Sequence, residues 1–300
     1  MRRVGIIDIG SNSIKSLVAE RDSASGAFID RGTELEETRI STGIGQHRSY
    51  LSAKSIERGA NSVEKLWRGL HRFGPLDALR IVATSAVRDA ANRNAFIEAI
   101  RGRTNVQLEV LRGEEEAEGI AYGVLQDPEI PSDLSQFQLF DQGGGSLEWI
   151  AFEARSVAER QSLPLGAVRL TERFIEDSAA PISAAAREAI SNEIRNQFTP
   201  LPLRKKVPIV ACGGGVAVIE TLLGNPRITL DALRKLEVQL CSLSTEQRIA
   251  TMAIPAGRAD IMPACVIAFR SLLEMLEADY LTHSRYNLRY GLAARLLESK

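Results

Sequence analysis

The sequence predicts an α/β protein made of two related lobes. Three observations support this: strand and helix patterns alternate along the chain, a pattern at the N-terminus recurs near the middle, and 300 residues suffice for two separate cores. The recurrence relates "VGIIDIGSNSIKSLVAE" (4–20) to "QLFDQGGGSLEWIAFE" (138–153), with Asp8 aligned on Asp141. Each stretch predicts a strand, a tight glycine turn and a second apolar strand. We therefore infer an internal repeat, with one glycine turn in each half.

The first half alternates strands and helices after its opening hairpin, which indicates crossovers and a partly parallel sheet. Its first long helix has Ser52 as predicted N-cap and Gly74 as its end. The elements predicted in order are a strand over 26–40, a helix over 52–74, a strand over 78–85, a helix over 89–103, a strand over 105–111 and a helix over 113–125.

The proline-containing polar segment 126–136 is the predicted linker, and beyond it the pattern restarts. The long apolar segment 258–277 suits either a subunit interface or a buried core helix, and we take it as core. The elements predicted after the second hairpin are a strand over 156–165, helices over 166–176 and 182–198, a strand over 205–212, further helices including 258–278, a short strand over 280–284 and a terminal helix over 287–299.

Composition excludes several classes of protein. An apolar fraction of 44%, a charged fraction of 25% and no apolar run near ~20 residues predict a globular protein without a membrane partner. Three scattered cysteines with no CxxC pair fit the reducing cytoplasm and give no disulfide or zinc framework. The net charge of −1 provides no basic field for nucleic acid, so any phosphate binding must come from local geometry.

The glycine turns predict phosphate binding, because consecutive backbone N–H groups of such a turn can converge on an anion. Asp8 and Asp141 repel phosphate, but either can hold Mg²⁺ or orient a water. Ordinary hairpins are the alternative, since Asp–Gly and Gly–Gly are common turn dipeptides. Two matching turns and a third glycine run favour a phosphate-binding cleft. The candidate phosphate ligands are Ser11, Asn12, Ser13, Gly143, Gly144, Gly145, Ser146, Gly213 and Gly214.

Two further features remain ambiguous from position alone. The glutamates of "GEEEA" (113–117) begin a predicted helix, where they complement the helix dipole, or one of them can act as general base. Arg88 follows a buried strand and can bind phosphate in bidentate fashion, or it is an ordinary arginine on a helix surface. Arg169 and Thr171 carry the same two interpretations.

Taken together and in order, these motifs resemble those of the exopolyphosphatase/guanosine pentaphosphate phosphohydrolase family, a branch of the group of sugar kinases, actin and heat-shock chaperone ATPases. The resemblance spans nearly the whole chain. It is carried by "DIGSNSIK" (8–15), "ATSAVRDAAN" (83–92), "GEEEA" (113–117), "DQGGGSLE" (141–148), "LGAVRLTERF" (165–174), "CGGG" (212–215) and "GRADIMPACVIAF" (257–269).

The resemblance implies two ribonuclease-H-like domains with an active-site cleft between them, the first over 1–125 joined by the C-terminal helix 286–300, the second over 126–285. It implies Mg²⁺-dependent removal of a terminal phosphate from polyphosphate or guanosine pentaphosphate by in-line attack of water. It also implies a homodimer. Glu116 matches the catalytic base, Asp141 and Glu148 the metal or water ligands, and Arg88 the arginine of its motif.

The sequence departs from the family pattern at Lys15, where an arginine is common, at Gln142, where a branched apolar residue is usual, and at Gly215, where threonine is frequent. The chain ends at Lys300 where longer relatives continue, which predicts a short form acting on short polyphosphates. Two alternatives stay open: a weakly active regulator that binds nucleotide or alarmone, and a kinase of the wider superfamily.

Overall fold

A computed structural model of the chain describes residues 2–22, 24–43 and 50–299. Lys300, on which the short-form prediction rests, lies outside these residues. The chain separates into two compact units. Unit 1 comprises Met1–Ile130 with Tyr286–Lys300, and unit 2 comprises Pro131–Arg285.

The strands and helices follow the chain in this order. The strands are β1 (Arg3–Ile9), β2 (Ile14–Arg21), β3 (Phe28–Glu36), β4 (Ala78–Ala83), β5 (Leu108–Val110), β6 (Phe137–Gln142), β7 (Leu147–Glu153), β8 (Ser156–Leu163), β9 (Ile209–Cys212), β10 (Arg227–Thr229) and β11 (Tyr280–His283). The helices are α1 (Ala53–Leu70), with a 3-10 turn at His71–Phe73, α2 (Ser85–Arg88), α3 (Arg93–Thr104), α4 (Gly113–Val124), α5 (Ala167–Phe174), α6 (Ala184–Phe198), α7 (Gly214–Leu223), α8 (Leu230–Ser242), α9 (Thr245–Met252), α10 (Met262–Met275) and α11 (Leu288–Glu298).

The two sheets share one topology. Unit 1 has the strand order β3-β2-β1-β4-β5, and unit 2 has β10-β11-β9-β6-β7-β8. In each unit an antiparallel meander of three strands is continued by a strand that runs parallel to the first, β4 beside β1 and β9 beside β6. The internal repeat predicted from the sequence is therefore present in the fold, and β10 is an addition at the edge of unit 2.

The predicted helix boundaries are confirmed where capping residues set them. The Ser52 side chain accepts a hydrogen bond from the backbone N–H of Ser55 at the start of α1, and Gly74, with φ of 92°, ends the 3-10 turn that follows. The segment predicted as helix from residue 258 becomes helical only at Met262, because Pro263 fits the first turn, where its missing N–H costs nothing.

The core interpretation of α10 is confirmed. Residues 262–269 are all buried, and the helix packs against α5, α6, α7 and α8 within unit 2. Unit 1 builds its core from α1 and α11, both of which pack on β1 and β2. Among the described residues, no helix is both long enough and apolar enough to cross a bilayer.

At one helix crossing in unit 1, glycines allow the two backbones to come into close contact. The predicted C-terminal helix, α11, packs on α4 where Gly291 meets Gly119 and Gly123. A methyl at Gly123 would lie 2.9 Å from the carbonyl carbon of Asn287, closer than van der Waals contact permits. The C-terminal helix thereby fixes the position of α4, which carries Glu116.

Candidate functional site

In unit 1 the predicted phosphate turn is held by hydrogen bonds to its carbonyl groups. The turn closes through Gly10 N donating to Ser13 O at 3.1 Å. Ser41 N donates to Ser11 O at 3.3 Å and Arg39 N to Asn12 O at 2.9 Å. In a trans peptide the C=O and the following N–H point in opposite directions. The N–H groups after these two carbonyls therefore face away from the 39–41 segment, as an anion-binding turn requires.

A short helix connects this turn to the predicted arginine. Because β4 lies parallel to β1, α2 begins beside the turn, and the Ser85 and Ser11 hydroxyl oxygens are 3.3 Å apart. Arg88 is the last residue of α2. Ser11 and Arg88, both predicted as phosphate ligands, are thus brought to the two ends of one turn of helix.

Arg88 and Glu116, predicted as phosphate ligand and general base, are in direct contact. Arg88 Nη1 donates to Glu116 Oε2 at 2.7 Å and to Leu111 O at 3.1 Å. The Glu116 side chain is 9% exposed and that of Arg88 20%. Glu116 is therefore a buried carboxylate with a fixed orientation, which suits a group that must accept a proton at one point in space.

The neighbouring Glu115 shows the other role considered for the acidic cluster. Its carboxylate accepts from Arg112 N at 2.9 Å and from Arg112 Nη2 at 2.8 Å, at the start of α4. These hydrogen bonds from Arg112 hold the pKa of Glu115 below its ordinary value. Helix capping thus explains Glu115, whereas Glu116 is directed inward to Arg88.

In unit 2 the glycine turn is held by the first turn of α5. Gly143 N donates to Ser146 O at 3.0 Å, and the backbone N–H groups of the first three residues of α5 donate to Gly143 O and Gly144 O at 2.9–3.1 Å. The Arg169 side chain adds a bond of 2.8 Å from Nε to Gly145 O. With these carbonyls directed at α5, the N–H groups of Gly144, Gly145 and Ser146 point the other way. The Arg169 side chain therefore orients the turn. This contact differs from both interpretations given for Arg169 from the sequence, a phosphate ligand and a surface arginine.

The two predicted metal carboxylates lie opposite each other on adjacent strands. Asp141 in β6 pairs with Glu148 in β7, so both side chains project from one face of the sheet. Both residues are buried, and Glu148 Oε1 accepts from the Ser162 hydroxyl at 2.7 Å. The third glycine turn adjoins them: Gly213, with φ of 111°, would place a side-chain methyl 2.8 Å from Asp141 Oδ1.

Unit 1 differs at the equivalent position. Asp8 pairs across its hairpin with Lys15, the residue that the repeat aligns with Glu148. Burial raises the pKa of Asp8 above its ordinary value, and the charges of Lys15 and Arg289 oppose that rise. A carboxylate beside two cations is a weak ligand for a third, so the acidic pair of unit 2 suits a metal better than Asp8 does.

The unit 2 pair fits Mg²⁺ in ligand type. Within residues 2–22, 24–43 and 50–299, no group of three or more histidine, cysteine or acidic side chains forms a ready-made metal cage. Mg²⁺ does not need one, because in phosphate-handling sites it is held by one or two carboxylates together with water and phosphate oxygens. Asp141 and Glu148, with the glycine turn 143–146 beside them, match the protein part of such a set.

Two arginines that the sequence did not single out lie at the glycine turns. Arg39 Nε donates to Asn12 Oδ1 at 2.8 Å in unit 1. In unit 2 the buried guanidinium of Arg258 packs on Gly214, where a methyl would lie 2.8 Å from Cζ. Arg258 belongs to the motif 257–269, which is part of the family resemblance. Nothing in the spacing of that motif indicates that the Arg258 side chain reaches the third glycine turn at Gly214.

Two of the three departures from the family pattern, Gln142 and Gly215, are explained by local contacts. Gln142 is buried and its Nε2 donates to Leu165 O at 2.9 Å, so it supports the segment leading into α5. Gly215 faces the sulfur of Cys265 on α10 and leaves no space for a larger side chain. Gln142 and Gly215 therefore serve packing within unit 2.

Comparison with known proteins places this α/β protein in a family. The family model of the "Ppx/GppA phosphatase family" matches residues 17–300. The chain is 28% identical over 320 residues to a protein of Mycobacterium tuberculosis named "Exopolyphosphatase 2", covering 99% of each chain. It is 28% identical over 301 residues to a Vibrio parahaemolyticus protein named "Guanosine-5'-triphosphate,3'-diphosphate pyrophosphatase", covering 97% of this chain and 59% of that one.

A solved structure has a similar fold. The crystal structure of the Aquifex aeolicus Ppx/GppA family member superposes with a TM-score of 0.80 at 24% identity, covering 99% of this chain and 97% of that one. That likeness confirms the predicted α/β fold class, with one sheet in each unit. The chain belongs to the Ppx/GppA phosphatase family, as its motifs predicted.

Proposed function

We propose that this protein releases terminal phosphate from inorganic polyphosphate, with guanosine pentaphosphate as the second candidate substrate. The contact between Glu116 and Arg88 carries the proposal, since it gives a buried carboxylate of fixed orientation one helical turn from a phosphate-binding turn. Polyphosphate comes first because the relative named exopolyphosphatase aligns over 99% of both chains. The relative named for the guanosine substrate aligns over 59% of its own length.

In this proposal, unit 1 supplies the base and part of the phosphate site. The Glu116 carboxylate takes a proton from water while the water oxygen forms a bond to the terminal phosphorus. The bond from that phosphorus to the bridging oxygen breaks, and its electron pair stays on the leaving phosphate chain. The Ser11–Ser13 turn and Arg88 bind phosphate oxygens and orient the phosphorus for in-line attack.

Unit 2 supplies backbone donors and the metal ligands in the proposal. The N–H groups of Gly144, Gly145 and Ser146 bind phosphate oxygens, and the third turn, Gly213 and Gly214, adds donors at the start of α7. Asp141 and Glu148 would hold Mg²⁺. The bound ion would neutralise charge that develops on the phosphate oxygens.

The proposal is tested by measuring phosphate release from short-chain polyphosphate, long-chain polyphosphate and guanosine pentaphosphate, with and without Mg²⁺. Glu116→Gln keeps the size of the side chain and removes the base, so the rate is expected to fall by roughly 10²–10⁴-fold. Glu115→Gln is the matched control, because it changes the adjacent glutamate, which caps α4 through Arg112. That control is expected to keep wild-type rates.

Each result has a defined meaning. Mg²⁺-dependent release that Glu116→Gln abolishes and Glu115→Gln preserves supports the hydrolase, and the relative rates rank the three substrates. Phosphate binding without release from the wild type would favour the regulator, and transfer of phosphate from ATP to an acceptor would favour the kinase. The homodimer and cytoplasmic location implied by the resemblance are further proposals, and light scattering in solution tests the first.

A further inference from the structure

The ion pair between Arg88 and Glu116 presents a chemical conflict. Both residues have roles in the proposed hydrolysis, one toward phosphate and the other toward water, yet Arg88 Nη1 is hydrogen-bonded to Glu116 Oε2. An arginine partner favours the ionised form of a carboxylate and makes it less ready to accept a proton. A base held in this way is kept charged while buried, but it is a poorer base.

The conflict is resolved if the arginine has two partners at different stages. A phosphate group carries more charge than a carboxylate and matches the planar fork of a guanidinium in bidentate fashion. Arg88 ends the short helix α2, whose first residue, Ser85, lies 3.3 Å from Ser11 of the phosphate turn. The Arg88 side chain is 20% exposed, compared with 9% for that of Glu116.

We propose that Arg88 exchanges partners when phosphate binds. In the free protein it holds Glu116 ionised and oriented. A bound phosphate takes the guanidinium, and the carboxylate regains its basicity at the moment when the substrate is in place. The inference rests on the proposed function in assigning Glu116 as the base, but the exchange itself is a property of binding.

Other charged groups near Glu116 have different contacts. The Asp89 carboxylate oxygen Oδ1 lies 3.8 Å from Arg88 Nε. On α4 itself, Glu115 is paired with Arg112. The helix α11, which packs on α4, carries Arg289, bonded to Ser16 O at 3.0 Å, and Arg295, which is 4.0 Å from Glu118. The Arg88 guanidinium is bonded to the Glu116 carboxylate, so its departure is the change to measure.

The experiment follows the titration of Glu116 by its side-chain carboxyl ¹³C resonance, assigned with Glu116→Gln, in the presence and absence of saturating inorganic phosphate. Wild type is compared with Arg88→Met, which keeps an unbranched apolar stem and removes the charge and the donors. Without phosphate, the titration midpoint of the wild type is expected to lie roughly one pH unit or more below that of the variant. With phosphate, the difference is expected to fall to less than half.

Arg88→Lys serves as the conservative variant. It keeps a positive charge near Glu116 but lacks the fork, so its midpoint without phosphate is expected near that of the wild type while its affinity for phosphate falls. A difference between wild type and Arg88→Met that phosphate leaves unchanged would overturn the exchange, because it would mean that Arg88 stays on Glu116. No difference without phosphate would overturn it as well.

This test separates the inference from the proposed function. If the titration midpoint of Glu116 responds to phosphate as expected but the protein releases no phosphate from any substrate, the partner exchange is supported and the hydrolase is rejected. Hydrolysis with an unresponsive midpoint keeps the hydrolase and rejects the exchange.

Discussion

The substitution Gly291→Ala tests whether the crossing of α4 and α11 is as close as the structure places it. A methyl at this position would lie 2.7 Å from the backbone nitrogen of Gly123 and 2.9 Å from the carbonyl carbon of Gly119, and nearer still to that carbonyl's oxygen. Real Cβ atoms essentially never come within 3.0 Å of such neighbours. Since both contacts are backbone, no side-chain rotation relieves them, and the helices must separate.

Helix propensity and packing predict opposite signs for this variant. Alanine in place of glycine inside a helix stabilises by about 1 kcal/mol, whereas overpacking costs about 1–3 kcal/mol and the backbone clash puts this site at the upper end. The net expectation is a loss of roughly 2 kcal/mol, or about 6 °C in Tm at roughly 3 °C per kcal/mol. Thermal unfolding followed by circular dichroism measures the shift.

Gly102→Ala is the matched control, because Gly102 is an exposed residue inside α3 and a methyl there meets nothing within 4 Å. We expect it to gain roughly 1 kcal/mol from helix propensity alone. If Gly291→Ala raised Tm as the control does, the close crossing would be refuted. Glu116 lies one turn before Gly119, so displaced helices should also lower kcat, by up to roughly 10²-fold for a shift near 1 Å.

Two further predictions concern unit 2. Arg169→Met removes the donor to Gly145 O, so phosphate release should show a KM raised several-fold, with a smaller change in Tm; an unchanged KM would mean that α5 holds the turn without this side chain. For Glu220, burial alone would raise the pKa, but hydrogen bonds from Arg285 and His283 outweigh it and hold the pKa below its ordinary value. This stabilisation is present above the unfolded pKa of about 4.3 and is lost as pH falls through the folded value. The stability gap between wild type and Glu220→Gln should therefore narrow below roughly pH 4 in chemical denaturation, and a gap independent of pH would contradict the ion pair.

The sequence predicted the elements whose signals are local. Ser52 marks the start of α1 by capping it, and the alternation of glycine turns with apolar strands marked both hairpins. The repeat extended this to topology, because a shared turn between similar strands implied a shared sheet. The sequence did not predict β10 (Arg227–Thr229), because an edge strand of three residues is too short to show a periodic pattern.

The side-chain contacts of the candidate site could not be predicted from the spacing of residues in the sequence. Glu114, Glu115 and Glu116 are adjacent in sequence, and only tertiary packing distinguishes the one that reaches Arg88 from the one that caps α4. Arg258 likewise reaches Gly214 through the fold of the segment before α10. The motif resemblance singled out Glu116 without a physical reason. The structure distinguishes the two glutamates: Glu115 is bonded to Arg112 at the start of α4, whereas Glu116 is bonded to Arg88.

The two hairpins of the repeat differ in the residue that faces the aspartate across the hairpin. Each carries an aspartate before its glycine turn, and each aspartate faces a residue across the hairpin: Lys15 for Asp8 and Glu148 for Asp141. The first pair compensates its own charge, so it adds little net attraction for a cation. The second pair concentrates negative charge beside backbone donors, which favours a metal together with phosphate and disfavours phosphate alone. In the proposed function, this one difference at the same register position assigns the metal to the second hairpin, while Glu116 in unit 1 accepts the proton.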